Sequence, residues 1–174
     1  MKPVLVLAFF LSVVNYNHAQ TRDLSQSHSK YVVAVPNLTL EAAFELHKQA
    51  SQIAAKYNKN ISVAILDASG TPLLITRGAG VGPHNTEAAR RKAYTALSTK
   101  TPTLELMRNA AKSTDAQNLN SLPELLLLSG GAPIYYKNEI IGSIGIAGGG
   151  SAENDHTIAL SVAIPSVGIT AKKQ

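Results

Sequence analysis

The sequence contains no cysteine among its 174 residues. Without cysteine there is no disulfide framework and no lipid-anchored cysteine at a cleavage site, so the fold has to be stable through its apolar core alone. The chain also has no apolar run close to the roughly 20 residues that a membrane-spanning helix needs. We therefore expect one globular domain without a membrane span.

Sequence patterns that mark nucleotide and hydrolase sites are also missing. No lysine follows the glycines between Ser129 and Leu160 as in a phosphate-binding loop, and these glycines do not form the G-x-G-x-x-G pattern of a dinucleotide site. No serine lies in a G-x-S-x-G turn, so hydrolase chemistry is weakly supported. The histidines show neither H-x-x-x-H nor H-E-x-x-H spacing, and without cysteine a structural zinc site is not expected.

The charge is mildly positive, with 16 Lys and Arg against 11 Asp and Glu. This excess is spread along the chain, and the one compact cluster is Arg90, Arg91 and Lys92. No aromatic residues are interleaved with it, as the binding channels of nucleic-acid-binding proteins require. A nucleic-acid partner is therefore not expected, whereas an anionic small ligand fits the composition.

The N-terminus has the composition of a secretory signal peptide. Lys2 supplies a short positive start, and the run from Val4 to Val14 is apolar except for Ser12. This pattern predicts a signal peptide over residues 1–20, and an uncleaved N-terminal anchor is the alternative. We expect the remainder to comprise a flexible lead-in at 21–36, one domain at 37–168 and a tail at 169–174. The protein is then exported, to the periplasm or outside the cell.

Periodicity predicts an α+β domain. Apolar residues at three- and four-residue spacing predict a helix from about Leu40 to Tyr57 with Thr39 as its N-cap. Further signals predict a short strand at Tyr31–Val35, two hairpins turning at Asp67–Gly70 and at residues 137–139, and helices that begin at Asn85 or Thr86, near Thr103 and after Ser151. The fold class is one antiparallel sheet of about five strands flanked by helices.

Glycine and histidine supply the candidates for a binding site. Gly142 and Gly145 lie within an apolar strand, where they either admit a flat ligand or only permit close packing. His84 stands between a glycine-rich loop and a helix start, so a neutral imidazole there could ligate haem iron, or it could be a loop histidine without a special role. Candidate cofactor-binding residues are His84, Arg77, Arg91, Lys92, Tyr94, Gly145 and Gly148, and candidate metal ligands are His84 and His156.

Four stretches in order carry a family resemblance: "VAILDASGTPLLITR", "EAARRKAYTA", "SGGAPIYYKNEIIGSIGIAGG" and "AENDHTIAL". This series resembles the GlcG/HbpS family of haem-binding, sometimes called haem-degrading, proteins, which is related to the C-terminal domain of PduO-type cobalamin adenosyltransferases. The resemblance covers about Leu38 to Ile164. It implies a profilin-like fold, homo-oligomers and haem as the cofactor. An acidic residue usual after the second strand is missing at Arg77–Gly80, and Asp155-His156 replaces an acidic pair.

Three functions follow from these observations. The first is an exported protein that binds haem or another tetrapyrrole, in haem capture, storage or sensing, with His84 as the iron ligand. The second is an enzyme that acts on haem or on a small organic acid. The third is an oligomeric interaction module without a coloured ligand.

Overall fold

The computed structural model describes residues 30–173. The chain divides into residues 1–34 and 35–174, and the fold that follows is that of the second unit. The predicted signal peptide and the first nine residues of the lead-in lie outside the described residues. The prediction of a strand at Tyr31–Val35 is wrong, because these residues pair with no other strand. A segment with high β-propensity forms a strand only when a neighbouring strand offers it hydrogen bonds.

A single antiparallel sheet organises the domain, with the strand order β2-β1-β4-β3-β6-β5. The strands are β1 (Ser62–Asp67), β2 (Pro72–Arg77), β3 (Gly131–Tyr136), β4 (Glu139–Ala147), β5 (Ala163–Ile164) and β6 (Ile169–Thr170). The helices are α1 (Leu40–Ala55), α2 (His84–Thr99), α3 (Thr103–Ala110), α4 (Thr114–Gln117) and α5 (Ala152–Leu160), with 3₁₀ turns at Asn118–Ser121 and Pro165–Val167.

The predicted fold class is confirmed, with three differences in detail. The sheet has six strands, because two short strands that were not predicted, β5 and β6, join the four strands of the two hairpins, and β6 lies within the predicted tail and pairs with Tyr135 and Tyr136. Two short helical segments occupy the predicted loop after residue 113. Helix α2 begins at His84, one residue before the predicted cap, with Pro83 at its N-cap position. Thr39 caps α1 as predicted, where its Oγ1 accepts a hydrogen bond from the Ala42 N–H over 3.2 Å.

The two faces of the sheet are covered differently. Val63 and Ile65 belong to the core formed with α1 and α5, whereas Ala64 and Leu66 pack with α2. Helix α2 lies very close to the sheet: a Cβ at Gly145 would overlap the carbonyl oxygen of Ala89. The glycine-rich strand thus serves helix packing at this position, the second of the two alternatives that the sequence left open.

The first hairpin turn is held by a carboxylate. Asp67 Oδ1 accepts hydrogen bonds from the N–H groups of Ser69 and Thr71, each over 2.9 Å. Burial alone would raise the pKa of Asp67, but these bonds, with that from the Ser69 hydroxyl, lower it below its usual value. Asn37 Oδ1 accepts a further bond from the Ala68 N–H over 2.8 Å, which ties the entry to α1 to this turn.

The antiparallel register places the ends of the strands at two opposite sides of the sheet, and the two names that follow refer to these sides and not to the outermost strands. Ser62 pairs with Arg77 and with Ala147 at one edge, which we call the strand-end edge. Both predicted hairpin turns lie at the other, which we call the turn edge. Helix α2 runs between them, beginning near the first and ending near the second. No helix between residues 30 and 173 is long and apolar enough to cross a membrane.

Candidate functional site

A cleft of about 270 Å³ opens at the strand-end edge. Its walls are His47 and Ser51 of α1, Lys59 and Asn60 before β1, and Thr76 and Arg77 at the end of β2. Gly78 also lines this space, and its N–H donates to the Ile61 carbonyl oxygen over 2.9 Å. We call this space the strand-end cleft.

The strand-end cleft is basic and incompletely paired. The side chains of Lys59 and Arg77 form no hydrogen bond or ion pair within residues 30–173, and no acidic side chain lines the cleft. In its wall, Thr76 Oγ1 is buried without a hydrogen-bond partner. Burial lowers the pKa of His47, so its imidazole is neutral at pH 7. The cleft therefore has a surplus of positive charge and an unused hydroxyl.

A second space of about 320 Å³ adjoins the cleft and shares Lys59 and Asn60 with it. Its other walls are the glycine loop at residues 79–82, together with Asn85 and Gly148. The exposed imidazole of His84 lies against Gly82. The structure thus brings three of the predicted site residues, Arg77, His84 and Gly148, to one edge of the sheet.

Two other candidates lie inside the protein. Lys92 is 5% exposed, and its Nζ donates to Asp155 Oδ2 and to the Ile146 carbonyl oxygen, each over 2.9 Å. Asp155 Oδ1 accepts the Gly149 N–H over 2.7 Å, so this ion pair fastens α2, the end of β4 and α5 together. Gly145 lies beneath α2. In this structure neither residue is placed to meet a ligand.

The remaining candidates are distributed over the α2–α3–α5 side. Arg91 donates from Nη2 to the Leu125 carbonyl oxygen over 2.7 Å, and Tyr94 packs between the β1–β2 turn and the segment before β3. His156 is half-buried on α5, its Nδ1 has no hydrogen-bond partner, and burial lowers its pKa. Within the described residues, no group of three or more His, Asp or Glu side chains is arranged to hold a metal ion.

A larger groove lies at the turn edge. It consists of two spaces of about 440 and 490 Å³ that share Lys100, Tyr135 and Lys173. Lys100 follows the last turn of α2 in the left-handed conformation, at φ 54°. Strand β6 pairs with β3 beside Tyr135 and so carries the C-terminal lysines to the same place. We call this space the turn-edge groove.

The turn-edge groove combines apolar and cationic side chains. Leu97, Ile140 and Leu160 contribute apolar walls, and Lys172 adds a third ammonium group. Tyr135 is 7% exposed, and its hydroxyl makes no hydrogen bond in the described part of the chain. Burial and the charge of Glu105 raise its pKa, so the phenol is neutral at pH 7.

Sequence reasoning missed the groove and one wall of the cleft. His47 is not among the residues predicted for the site, although it continues the buried spacing of Ala43, Ala50 and Ala54 along α1, and that spacing could have identified it. Tyr135 and the lysines around it carry no comparable signal. They are brought together only by the pairing of β3 with the short last strand.

Comparison with known proteins agrees with this architecture, an α+β domain built on one antiparallel sheet. The crystal structure of a Streptomyces reticuli HbpS double mutant is 36% identical with a TM-score of 0.70, covering 77% of this chain and 90% of that one. The structure of a PduOC–haem complex is 27% identical with a TM-score of 0.68, covering 78% of this chain and 98% of that one.

The corrinoid adenosyltransferase PduO of Salmonella typhimurium is 31% identical over 134 residues, which are 76% of this chain but only 39% of that enzyme. The family model described as haem degrading protein HbpS-like matches residues 38–163. The chain belongs to this family, the GlcG/HbpS family related to PduO, as its motifs indicate.

Proposed function

We propose that this is an exported protein that binds haem in the turn-edge groove and serves haem capture, storage or sensing. One observation carries the proposal: apolar side chains and three lysines surround a buried phenol at one edge of the sheet. Haem is a flat apolar ring with two carboxylates and an iron that takes axial ligands. Each of these three parts has a matching group in the groove.

The charges fit the propionates. Lys100, Lys172 and Lys173 supply three ammonium groups, against the carboxylates of Glu105 in the same half of the groove and Glu139 in the other. Charge-assisted hydrogen bonds of this type are about twice as strong as neutral ones. Leu97, Ile140 and Leu160 would cover the ring from water, which favours binding in proportion to the apolar area buried.

Tyr135 is the group that would hold the iron. A tyrosine oxygen is one of the axial ligands that haem iron takes in proteins. The hydroxyl has no competing hydrogen bond within residues 30–173, and it lies where the two halves of the groove meet. Because its pKa is raised, coordination to ferric iron would release a proton, and binding would tighten as the pH rises.

Relatives support haem as the ligand. The structural neighbour PduOC is described as a haem complex, and the family is described as haem degrading. Ring opening of haem needs oxygen and an electron source in addition to a binding site. Degradation is therefore the second candidate, and product formation with an added reductant separates it from binding alone.

Export and self-association complete the proposal. The N-terminal 20 residues have the composition of a signal peptide, which supports export. Leu40 and Phe44, one turn apart on α1, are 44% and 54% exposed, and a second copy could cover them. The Phe44→Glu variant should then elute as a smaller species than the parent protein in size-exclusion chromatography. Unchanged elution of an oligomer would mean that this surface is not the interface.

A haemin titration followed by the Soret band tests the proposal. The parent protein should bind with a saturable, shifted band, and Tyr135→Phe should lose or shift that band. Tyr136→Phe removes the same atom from the neighbouring residue and is the matched control. A changed Soret band in His84→Ala, together with an unchanged band in Tyr135→Phe, would indicate that the iron binds at the strand-end edge instead. A spectrum equal to that of free haemin would remove haem as the ligand.

A further inference from the structure

We propose that the strand-end cleft is a separate site for a compact dianion, a small dicarboxylate or inorganic phosphate. The inference does not depend on haem binding, because the cleft and the turn-edge groove share no residue. It rests on the charge, the size and the unused hydrogen-bonding groups of the cleft.

The two positive charges of the cleft are best matched by a ligand with two negative charges. Lys59 and Arg77 are both cationic at neutral pH, and neither has a partner in the described part of the protein. Arg77 is the last residue of β2, so its backbone is fixed by pairing with Ser62. A planar guanidinium matches a carboxylate or phosphate with two parallel hydrogen bonds, whereas the lysine adds a point charge that suits the second anionic group.

The size of the cleft excludes a macrocycle. Its volume of about 270 Å³ lies just below the range for ligand pockets, which begins near 300 Å³. Most of the residues that line it carry polar side chains, and Ile61 is the one large aliphatic residue among them. A ligand of a few heavy atoms therefore fits, and it has to be recognised by polar groups.

Neutral groups in the cleft complete the recognition. Ser51 can donate through its hydroxyl, and Thr76 Oγ1 is buried with its hydrogen bond unmade. An unpaired buried hydroxyl is unfavourable, and a turn of the Thr76 side chain towards the cleft would let an anion oxygen satisfy it. His47 completes this side of the cleft. Its pKa is lowered by burial, and an adjacent anion would favour its protonated form.

The cleft is also preformed. Asn60 Nδ2 donates to the Ala79 carbonyl oxygen over 2.9 Å, and the Gly78 N–H donates to Ile61 over 2.9 Å. These bonds hold the segment before β1 against the segment after β2. Such a site needs little reorganisation when a ligand enters, which favours binding.

Isothermal titration of the full chain with succinate and with inorganic phosphate, in a buffer free of both, tests the inference. We expect saturable binding of at least one, weakened about tenfold or more in Arg77→Gln because a charge-assisted pair is lost. Arg108→Gln, an exposed arginine on α3, makes the same charge change elsewhere and should bind as the parent does. The anion that binds more tightly shows whether the cleft takes a dicarboxylate or inorganic phosphate.

Two outcomes would overturn the inference: no saturable binding of either anion, or equal weakening by Arg77→Gln and Arg108→Gln. Lys59→Gln is a second variant with an exposed side chain, and it should weaken binding in the same direction. Circular dichroism confirms that each variant is folded. Repeating the titration with haemin bound should leave the affinity for the anion unchanged, so that failure at one site is distinguishable from failure at the other.

Discussion

The two edges of one sheet carry two different basic sites. The strand-end cleft is small and is lined mainly by residues with polar side chains, and its charges come from an arginine whose backbone is fixed by strand pairing and a lysine at the entry to β1. The turn-edge groove is larger and offers a greater area of apolar surface, and its charges are lysines on a helix end and on the last segment of the chain. Positive charge alone does not determine which anion a surface takes. The apolar area and the size of the space select between a compact ion and a large flat one.

Helix α2 separates the two regions. It has 16 residues and is therefore about 24 Å long, with His84 at its first position and Lys100 just beyond its end. The small residues beneath it, Ala64, Gly145 and Ala147 among them, let it lie flat on the sheet. A helix packed in this way acts as a rigid spacer, so changes at one edge need not reach the other.

Removing the buried ion pair should produce the largest effect. Asp155→Ala leaves Lys92 charged and uncompensated, which should lower the free energy of unfolding by about 3–5 kcal/mol in urea denaturation. Because Asp155 also accepts a hydrogen bond from the Gly149 N–H, this change should disturb the segment after β4, at the strand-end edge, more than the turn-edge groove. Glu153→Ala, an exposed neighbour with a 3.7 Å ion pair, is the control and should cost less than about 0.5 kcal/mol. Similar losses in both variants would contradict the structural role of the pair.

Adding a methyl group beneath α2 should produce the next largest effect. Gly145→Ala should lower the free energy of unfolding by about 3 kcal/mol, because the new carbon meets helix backbone that cannot move aside. Gly80→Ala has no atom within 4 Å of the new carbon, and it should cost about 1 kcal/mol from its φ of 76° alone. If Gly145→Ala is tolerated as well as the control, then α2 is not the rigid spacer that separates the sites.

Removing positive charge at one edge should weaken binding of one ligand and leave the affinity for the other unchanged. Lys100→Gln with Lys173→Gln should weaken haemin binding about tenfold, close to 1.4 kcal/mol, and leave dianion binding unchanged. Arg77→Gln should have the reverse pattern. Both affinities are measured by titration of each variant at constant ionic strength. If both variants weaken both ligands, the two edges act as one electrostatic surface.

The pH dependence of haemin affinity should be smaller and should involve only the groove. Burial and Glu105 raise the pKa of Tyr135, so the proton that the iron displaces is held more tightly than in a free phenol. Haemin should therefore bind more tightly at pH 9 than at pH 7 in the parent protein, and Tyr135→Phe should remove the difference. An affinity independent of pH would argue against a phenolate ligand.

Mild acid should produce the smallest effect on stability, through His47 in the cleft and His156 on α5. Burial lowers the pKa values of His47 and His156, so the unfolded chain takes up these protons first, near pH 6.5. Their contribution is complete above pH 6.5 and is lost as the pH falls through 6.5 towards the lower folded values. The free energy of unfolding should fall between pH 7.5 and 5.5, and it should fall less in His47→Gln. A rise in stability on acidification would contradict this assignment.

Local signals predicted most of the fold. The Thr39 cap, the spacing along α1, and both hairpin turns depend on neighbours within a few residues, and such interactions can be read directly from a sequence. The short strand β6 was missed because two residues carry too little periodicity to register. It forms because β3 offers an open edge at Tyr135 and Tyr136.

By itself the sequence determined the α+β class, the family and the order of the main elements, because cap, turn and periodicity signals act over short distances. Only the tertiary structure decided which basic residues line the cleft and the groove. Lys92 lies inside the protein, where it pairs with Asp155, a residue 63 positions away along the chain. Arg91 donates to the carbonyl oxygen of Leu125. His47, Arg77 and Lys59 meet in one cleft, and Lys100, Tyr135 and Lys173 meet in one groove. A charged side chain is placed by contacts between distant segments, and no local pattern in a single sequence contains them.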